Sequence, residues 1–210
     1  AFDMLKGGYS ITSRIHDKSD RYSFLINANG SIHKDFANMY FGSTYINILN
    51  QIWVLDPKAR IDFTKNRWTV NDFYLADENH YIEIDGVAGA SNSDTLHIDF
   101  GNITPNVLTP FFAKGTFDSL LFRSNGDVRI SSTLGSPKYI GNIDVNQIFY
   151  QGYSYGDAST WVRETDVNGL LNFETSFRDG PIANTDFRGK VKLMGKLLAI
   201  RAQLLKRFYI

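Results

Sequence analysis

Residues 80–102, HYIEIDGVAGASNSDTLHIDFGN, alternate between apolar and polar side chains on both sides of a turn. In an extended chain Ile82 and Ile84 point to one side, and Glu83 and Asp85 point to the other. After a turn rich in Gly, Ala and Ser the alternation returns, and its apolar positions are Leu96, Ile98 and Phe100. The segment therefore predicts two strands with one apolar face and one polar face.

The same period of two dominates the rest of the 210 residues, with abundant aromatic and β-branched side chains. Turn signals such as Asn-Gly and Asp-Gly separate the alternating runs. We predict an all-β fold of many short strands. The apolar pairing expected across Asn29-Gly30 and Asn125-Gly126 favours three-residue hairpin loops at residues 28–30 and 124–126, so that Phe122 would face Val128.

Composition narrows the classes of function. Lys and Arg together number 22, as do Asp and Glu, so net charge gives no reason to expect nucleic-acid binding. The chain has no Cys, which excludes disulfides and thiol chemistry. It begins at Ala1 without a signal sequence and contains no apolar run long enough for a spanning helix. We expect a piece of a longer chain whose membrane anchor lies outside it.

Catalytic patterns are not evident in the sequence. The four His residues, at positions 16, 33, 80 and 97, lack the spacing of a metal site. There is neither a phosphate-binding glycine loop nor a nucleophile motif, and the many Asp side chains fit the solvated face of strands. We therefore predict a protein that is not an enzyme and that has no cofactor and no metal.

The last run, KVKLMGKLLAIRAQLLKRFYI (residues 190–210), is basic and contains no acid. Residues 197–210 suit either an amphipathic helix or another strand. A terminal element with a solvated basic side is one interpretation, and contact with a membrane surface is the other.

Residues 59–177 resemble the C-terminal β-repeat domain of the TamB family, the inner-membrane-anchored subunit of the translocation and assembly module within the AsmA-like group. The family's pattern contains an x-N-F-x-L strand, a strand ending in Gly, an L-x-I-x-F-x-N strand with a following N-x-L segment, and a Gly-led strand pair. The matching pieces are residues 71–75, 80–86, 96–102 and 106–108, and the segment from Gly115 onward.

From its length and its continuous alternation we expect residues 1–210 to form a single β-rich segment. The resemblance implies an open sheet curled into a trough, or β-taco, with an apolar lining. It also implies phospholipid transport between the inner and outer membranes of a Gram-negative envelope, in the periplasm, with an Omp85-type partner. Support of outer-membrane protein assembly is a further implied role.

Fourteen apolar residues are the expected lining of the hydrophobic groove: Trp68, Val70, Phe73, Leu75, Ile82, Ile84, Leu96, Ile98, Phe100, Phe122, Val128, Ile130, Ile143 and Val145. The same alternation suits a closed β-sandwich whose Trp and Tyr side chains bind carbohydrate or protein, and a β-helix is a further alternative. A trough would leave these side chains accessible, whereas a closed core would bury them.

Overall fold

The computed structural model describes residues 2–5, 7–17, 22–109, 115–165, 167, 169–192 and 201–203. The predicted all-β class is confirmed, with 69% strand and 3% helix. In the described residues the elements are β1 (Phe2–Leu5), β2 (Gly8–His16), β3 (Tyr22–Ile32), β4 (Phe36–Phe41), β5 (Tyr45–Ile48), β6 (Gln51–Leu55), β7 (Arg60–Thr64), β8 (Arg67–Ala76), β9 (Tyr81–Gly89), β10 (Thr95–Ile103), α1 (Pro105–Leu108), β11 (Leu120–Ser131), β12 (Lys138–Tyr150), β13 (Tyr153–Glu164), β14 (Leu170–Arg178), β15 (Asp186–Lys192) and β16 (Arg201–Gln203).

The chain forms two compact units. The first unit comprises Ala1–Gly101 with Ser131–Gly135, and the second comprises Asn102–Ile130 with Ser136–Ile210. All described strand pairs are antiparallel, and neighbouring strands follow chain order closely. Such a meander arises when each strand simply turns back beside the one before it.

Two interrupted strands lie between β3 and β8 in the first unit. β4 and β5 both pair with β3, one after the other, and β7 and β6 both pair with β8. The hydroxyl of Thr44 donates to the carbonyl of Asn27, and the N–H of Leu55 donates to the carbonyl of Thr44. These bonds satisfy backbone groups at the interruption that would otherwise be unpaired.

The best buried apolar side chains of the first unit cluster near this interruption. Trp53 is 1% exposed, and Ala28, Leu55 and Ala59 are also buried. The Trp53 ring stacks on the His80 ring at a centroid distance of 5.6 Å. The core of this unit is therefore small and lies beside the β5–β6 hairpin.

The second unit orders its strands from β11 to β16 in chain sequence. In this unit Val145 lies opposite Ala158, Val162 lies opposite Phe173, and Phe173 lies opposite Gly189. Gly189 allows a close approach, because a Cβ there would lie 2.5 Å from the Phe173 ring.

The predicted three-residue hairpins at residues 28–30 and 124–126 are wrong. β3 and β11 each run through the Asn-Gly pair without a turn. Gly30 lies under the Tyr9 ring, and the Tyr9 hydroxyl donates to the carbonyl of Asn38 at 2.8 Å. The Asn125 side chain accepts the N–H of Asn102 at 2.8 Å. Both residues serve neighbouring strands, so their local turn preference is overridden.

The basic end is described only in part. Residues 190–192 belong to β15, and Arg201–Gln203 forms β16, which pairs with it. The remainder of residues 193–210 lies outside the described residues, so the choice between helix and strand there stays open. In the described part of the chain, no helix has the length and apolar character to cross a membrane.

Candidate functional site

Nine of the expected lining residues lie on one face of β8, β9 and β10. Ile84 is directly opposite Ile98 in β10 and Phe73 in β8, and Ile82 is opposite Phe100 and Leu75. Residues directly opposite each other across a strand pair share a face. The nine that share it are Trp68, Val70, Phe73, Leu75, Ile82, Ile84, Leu96, Ile98 and Phe100. We call it the apolar face of the first unit.

A β-bulge in β8 keeps Val70 and Phe73 on the same side. The register with β9 shifts between these two residues, which puts two residues opposite one. Asp72 has a φ of 51°, and its N–H donates to the Asp85 Oδ1 at 2.7 Å. Without the extra residue, Phe73 would turn to the opposite face, because side chains alternate with a period of two.

The apolar face extends over strands that the candidate set omitted. Ile61 and Phe63 of β7 are opposite Val70 and Trp68, and Met39 of β4 is opposite Ile61. On β3, β5 and β6 the same face continues, since Phe24 lies opposite Ile46 and Ile46 lies opposite Trp53. Their regular alternation is visible in the sequence, so extending the pattern toward the chain start would have found them.

Most side chains of this face are half-buried rather than buried. Trp68 is 47% exposed, and the other eight candidates on β8, β9 and β10 are of intermediate exposure. Among the described residues of the first unit, the large apolar side chains that are buried are Ile48, Trp53 and Leu55. An apolar sheet face normally packs against a second layer. This face therefore retains apolar area that a ligand or another chain could cover.

The opposite face of β9 and β10 carries acids. The Tyr81 hydroxyl donates to Asp99 at 2.6 Å, and this bond is the main reason that the pKa of Tyr81 rises to about 12. Partial burial, and then the neighbouring carboxylates of Asp85 and Asp99, raise the pKa of Glu83. Crowded acids of this kind are tolerated where water solvates them.

The second unit has an apolar face of its own. Ile143 and Val145 of β12 are opposite Thr160 and Ala158 of β13. In β11 the candidates Phe122, Val128 and Ile130 are half-buried, while Leu121, Arg123 and Arg129 are exposed. A Cβ at Gly141 would lie 3.0 Å from the Val128 side chain, so Val128 comes close to β12.

Further apolar residues on this second face were not among the candidates. They are Val162, Leu171, Phe173, Phe177, Phe187 and Val191. Phe177 and Phe187 pack edge to face with ring centroids 5.6 Å apart. Their spacing of two is evident in β14, but Thr175 interrupts the apolar run. Its hydroxyl hydrogen-bonds to that of Thr160 at 2.9 Å, so two inward polar groups satisfy each other.

No group of metal-ligating side chains occurs in the part of the chain that the structure describes. His80 is 7% exposed, and its Nδ1 lies 2.8 Å from Asp77 Oδ1. Burial acts to raise the pKa of Asp77, but the backbone N–H groups of Asn79 and His80 outweigh it and lower that pKa. His97 is exposed on the acidic face. These two His residues are therefore held in separate environments.

Comparison of the chain with protein-family models, with curated proteins and with solved structures found no match in any of the three. The features of this chain that bear on its function are its apolar faces, their exposure and the charges on the opposite sides of the strands.

Proposed function

We propose that this protein is a non-catalytic segment of a cell-envelope lipid conduit, in which the apolar faces bind phospholipid acyl chains. The observation that carries the proposal is the apolar face of β8, β9 and β10, where nine large side chains line up and remain partly exposed. Covering apolar surface contributes roughly 25 cal/mol per Å² removed from water. Acyl chains would supply that cover.

The TamB-like motifs described above support the same proposal and supply its setting. In this setting the segment is periplasmic, forms part of a curled trough, and works with an Omp85-type partner at the outer membrane of a Gram-negative bacterium. Movement of lipid along an apolar surface needs no general base, nucleophile or metal. The proposal therefore requires only that the apolar side be continuous and the other side be polar.

The alternation in β9 and β10 provides a matched pair of substitutions for a test. Ile98 lies on the apolar face, and its neighbour His97 is exposed on the acidic face. Ile98→Asp would place a carboxylate among acyl chains, where an ionised group is strongly disfavoured. His97→Asp would add the same group on the solvated side.

The experiment is native mass spectrometry of the purified 210-residue chain, with extraction and identification of the lipid that co-purifies. We expect phospholipid in a reproducible ratio with the unmodified chain and with His97→Asp, and its loss with Ile98→Asp. Circular dichroism should show the same strand content in all three proteins. A lipid-free unmodified chain, or lipid retained by both variants, would contradict the proposal.

A closed carbohydrate- or protein-binding domain makes the opposite prediction for stability. If the apolar face were the inside of a sandwich, Ile98→Asp would lower the free energy of unfolding by about 3 kcal/mol or more and would unfold the domain. Unfolding of Ile98→Asp together with a lipid-free, stable unmodified chain would favour that alternative, and a glycan-binding screen would then follow.

A further inference from the structure

One face of β12, β13 and β15 carries a cluster of cations at one end of the strands. The registers place Asn172 of β14 between Arg163 and Lys190, and place Lys192 opposite Leu170. This face lies opposite the apolar face of the second unit. We call the end that contains Lys138, Arg163, Arg188, Lys190 and Lys192 the basic face. The same side of the sheet also carries Glu174, opposite Arg188, and, toward the other ends of the strands, Arg178 with Asp144, Asp157 and Asp186.

The cations of the basic face are poorly neutralised. Arg188 pairs with Glu174 at 2.6 Å. Among the residues that the structure describes, no carboxylate forms an ion pair with Lys138, Arg163, Lys190 or Lys192, and all four are exposed. Clustered like charges repel one another unless counterions or a ligand neutralise them. The arrangement therefore suits an anionic partner.

Apolar side chains are interspersed with these cations. Trp161 is 37% exposed, and the guanidinium of Arg163 lies 6.0 Å from the centre of its ring. Ile140, which is directly opposite Arg163, is 45% exposed. Trp beside Lys and Arg is the combination found at membrane–water interfaces, where the ring enters the headgroup layer and the cations meet phosphate.

The sequence that follows β15 has the same composition. From residue 193 to residue 210 it contains four cations, Lys196, Arg201, Lys206 and Arg207, no acid, and many Leu, Ile and aromatic residues. Basic and apolar residues in combination favour a bilayer surface over nucleic acid, which needs cations but not the apolar side chains.

We propose that the basic face of the second unit binds the surface of an anionic phospholipid bilayer. Phosphate groups neutralise Arg163, Lys190 and Lys192, and Trp161 inserts at the level of the headgroups. This binding does not depend on the proposed function, because it uses the charged side of the sheet rather than the apolar side. Each cation near such a surface contributes about a fivefold change in the partition coefficient at moderate ionic strength.

The test measures co-sedimentation with vesicles of phosphatidylcholine alone and of phosphatidylcholine with phosphatidylglycerol. We expect binding to the anionic vesicles only, weakening as salt is raised. The double variant Lys190→Glu, Lys192→Glu should lower the partition coefficient by about 25-fold or more, since two cations are lost and two acids gained. Trp161→Ala should lower it further and reduce the blue shift of tryptophan fluorescence.

The matched control is Lys58→Glu, Lys65→Glu, which changes net charge equally at two exposed cations of the first unit. It should lower the partition coefficient by no more than about threefold, through long-range charge alone. The proposal would be overturned if both double variants lost the same amount of binding, or if the unmodified chain did not bind anionic vesicles. It would also be overturned if the chain bound duplex DNA more tightly than vesicles.

The two proposals can fail separately. Ile98→Asp should leave vesicle binding unchanged, and the Lys190→Glu, Lys192→Glu variant should retain co-purifying phospholipid. Inorganic phosphate at matched ionic strength should not compete with vesicles; if it displaced the chain completely, the site would bind free phosphate and the bilayer proposal would be wrong.

Discussion

Two β-bulges, one in β8 of the first unit and one in β12 of the second, can be compared residue by residue. Each inserts an extra residue opposite a single Asp, and the second bulge residue has positive φ, at 51° for Asp72 and 55° for Gln147. Its N–H donates to that Asp, to Asp85 at 2.7 Å and to Asp157 at 2.8 Å. Both bulges thus share one backbone arrangement.

Their surroundings differ in charge. Asp85 lies on the face that carries Glu83 and Asp99, whereas Asp157 is directly opposite Arg178 of β14. A bulge needs only an acceptor for one exposed N–H, so the charges around that acceptor can vary. The backbone therefore fixes which side chains share a face, while the charges on the outward face are available for separate roles in the two units.

Deletion of Asp72 should have the largest effect. Removing the extra residue would turn Phe73 and Leu75 to the acidic face, and at about 2 kcal/mol for each displaced side chain the loss is about 4 kcal/mol. Urea unfolding measures this loss. Asp72→Gly is the control, because it keeps the residue count and relieves the positive φ, so it should be neutral or stabilising.

Deletion of Gln147, the corresponding bulge residue in β12, should cost less than deletion of Asp72. A second register shift follows at once between Ile148 and Phe149, so the first shift displaces little beyond Ile148. The cost should therefore be about half that of the Asp72 deletion, near 2 kcal/mol. Equal costs for the two deletions would show that the bulges do not act by setting the apolar face.

Each bulge also has a glycine next to its Asp, and we expect substitution of these glycines to have the second largest effect on stability. Gly86 and Gly156 have φ values of 108° and 84°, and a Cβ at either would overlap a backbone carbonyl of the neighbouring strand, that of Thr95 or of Asp179. We expect Gly86→Ala and Gly156→Ala to cost about 3 kcal/mol. Thermal unfolding would report the loss.

Gly152→Ala separates the two causes of that cost. Gly152 has a similar φ of 82°, but a Cβ there would meet nothing within 4 Å. The variant should lose only about 1 kcal/mol, from the backbone conformation. If all three Ala variants lost the same amount, the close approach of the neighbouring strand would have no role.

Replacing the two aspartates that accept the bulge N–H groups should have the next largest effect on stability. Asp85→Ala and Asp157→Ala each leave one bulge N–H to water, at a cost of about 1 kcal/mol. The cost should be smaller for Asp85, because its removal also relieves repulsion with Glu83, and larger for Asp157, which lies opposite Arg178. The difference should shrink at high salt in denaturant titrations. A larger cost for Asp85 would contradict the comparison.

Sequence alone was enough to predict which residues lie on the apolar faces, because residues on those faces are apolar on both sides of a bulge. Val70 and Phe73 were both expected to line the groove although their parity differs, and the register places them together. The Asn-Gly pairs misled the prediction, because their partners are distant in sequence. Gly30 accommodates the Tyr9 ring, and Asn125 accepts from Asn102. Local turn propensity carries no information about such contacts.

The basic face was also beyond the reach of sequence patterns. Arg163, Lys190 and Trp161 lie up to 29 positions apart, and only the registers between β13, β14 and β15 bring them together. Composition alone indicates that residues 190–210 are basic, whereas the placement of Lys190 and Trp161 on one face depends on the strand registers.

The smallest effect concerns Tyr81, which tests the acidic surroundings of the first bulge. Its hydrogen bond to Asp99 raises the pKa of Tyr81 to about 12, above the value of about 10 for an unfolded tyrosine. The folded state therefore holds this proton more tightly, so the stabilisation is complete below pH about 10 and is lost as pH rises toward about 12.

Tyr81→Phe should cost less than about 1 kcal/mol at neutral pH, and the stability difference from the unmodified chain should disappear across that window. Tyr153→Phe, at a side chain that is 72% exposed, is the control and should leave the free energy of unfolding unchanged. If the difference in free energy of unfolding between Tyr81→Phe and the unmodified chain stayed constant up to pH about 12, the acids near the first bulge would not act on Tyr81. The contrast in charge between the two bulges would then have no energetic consequence.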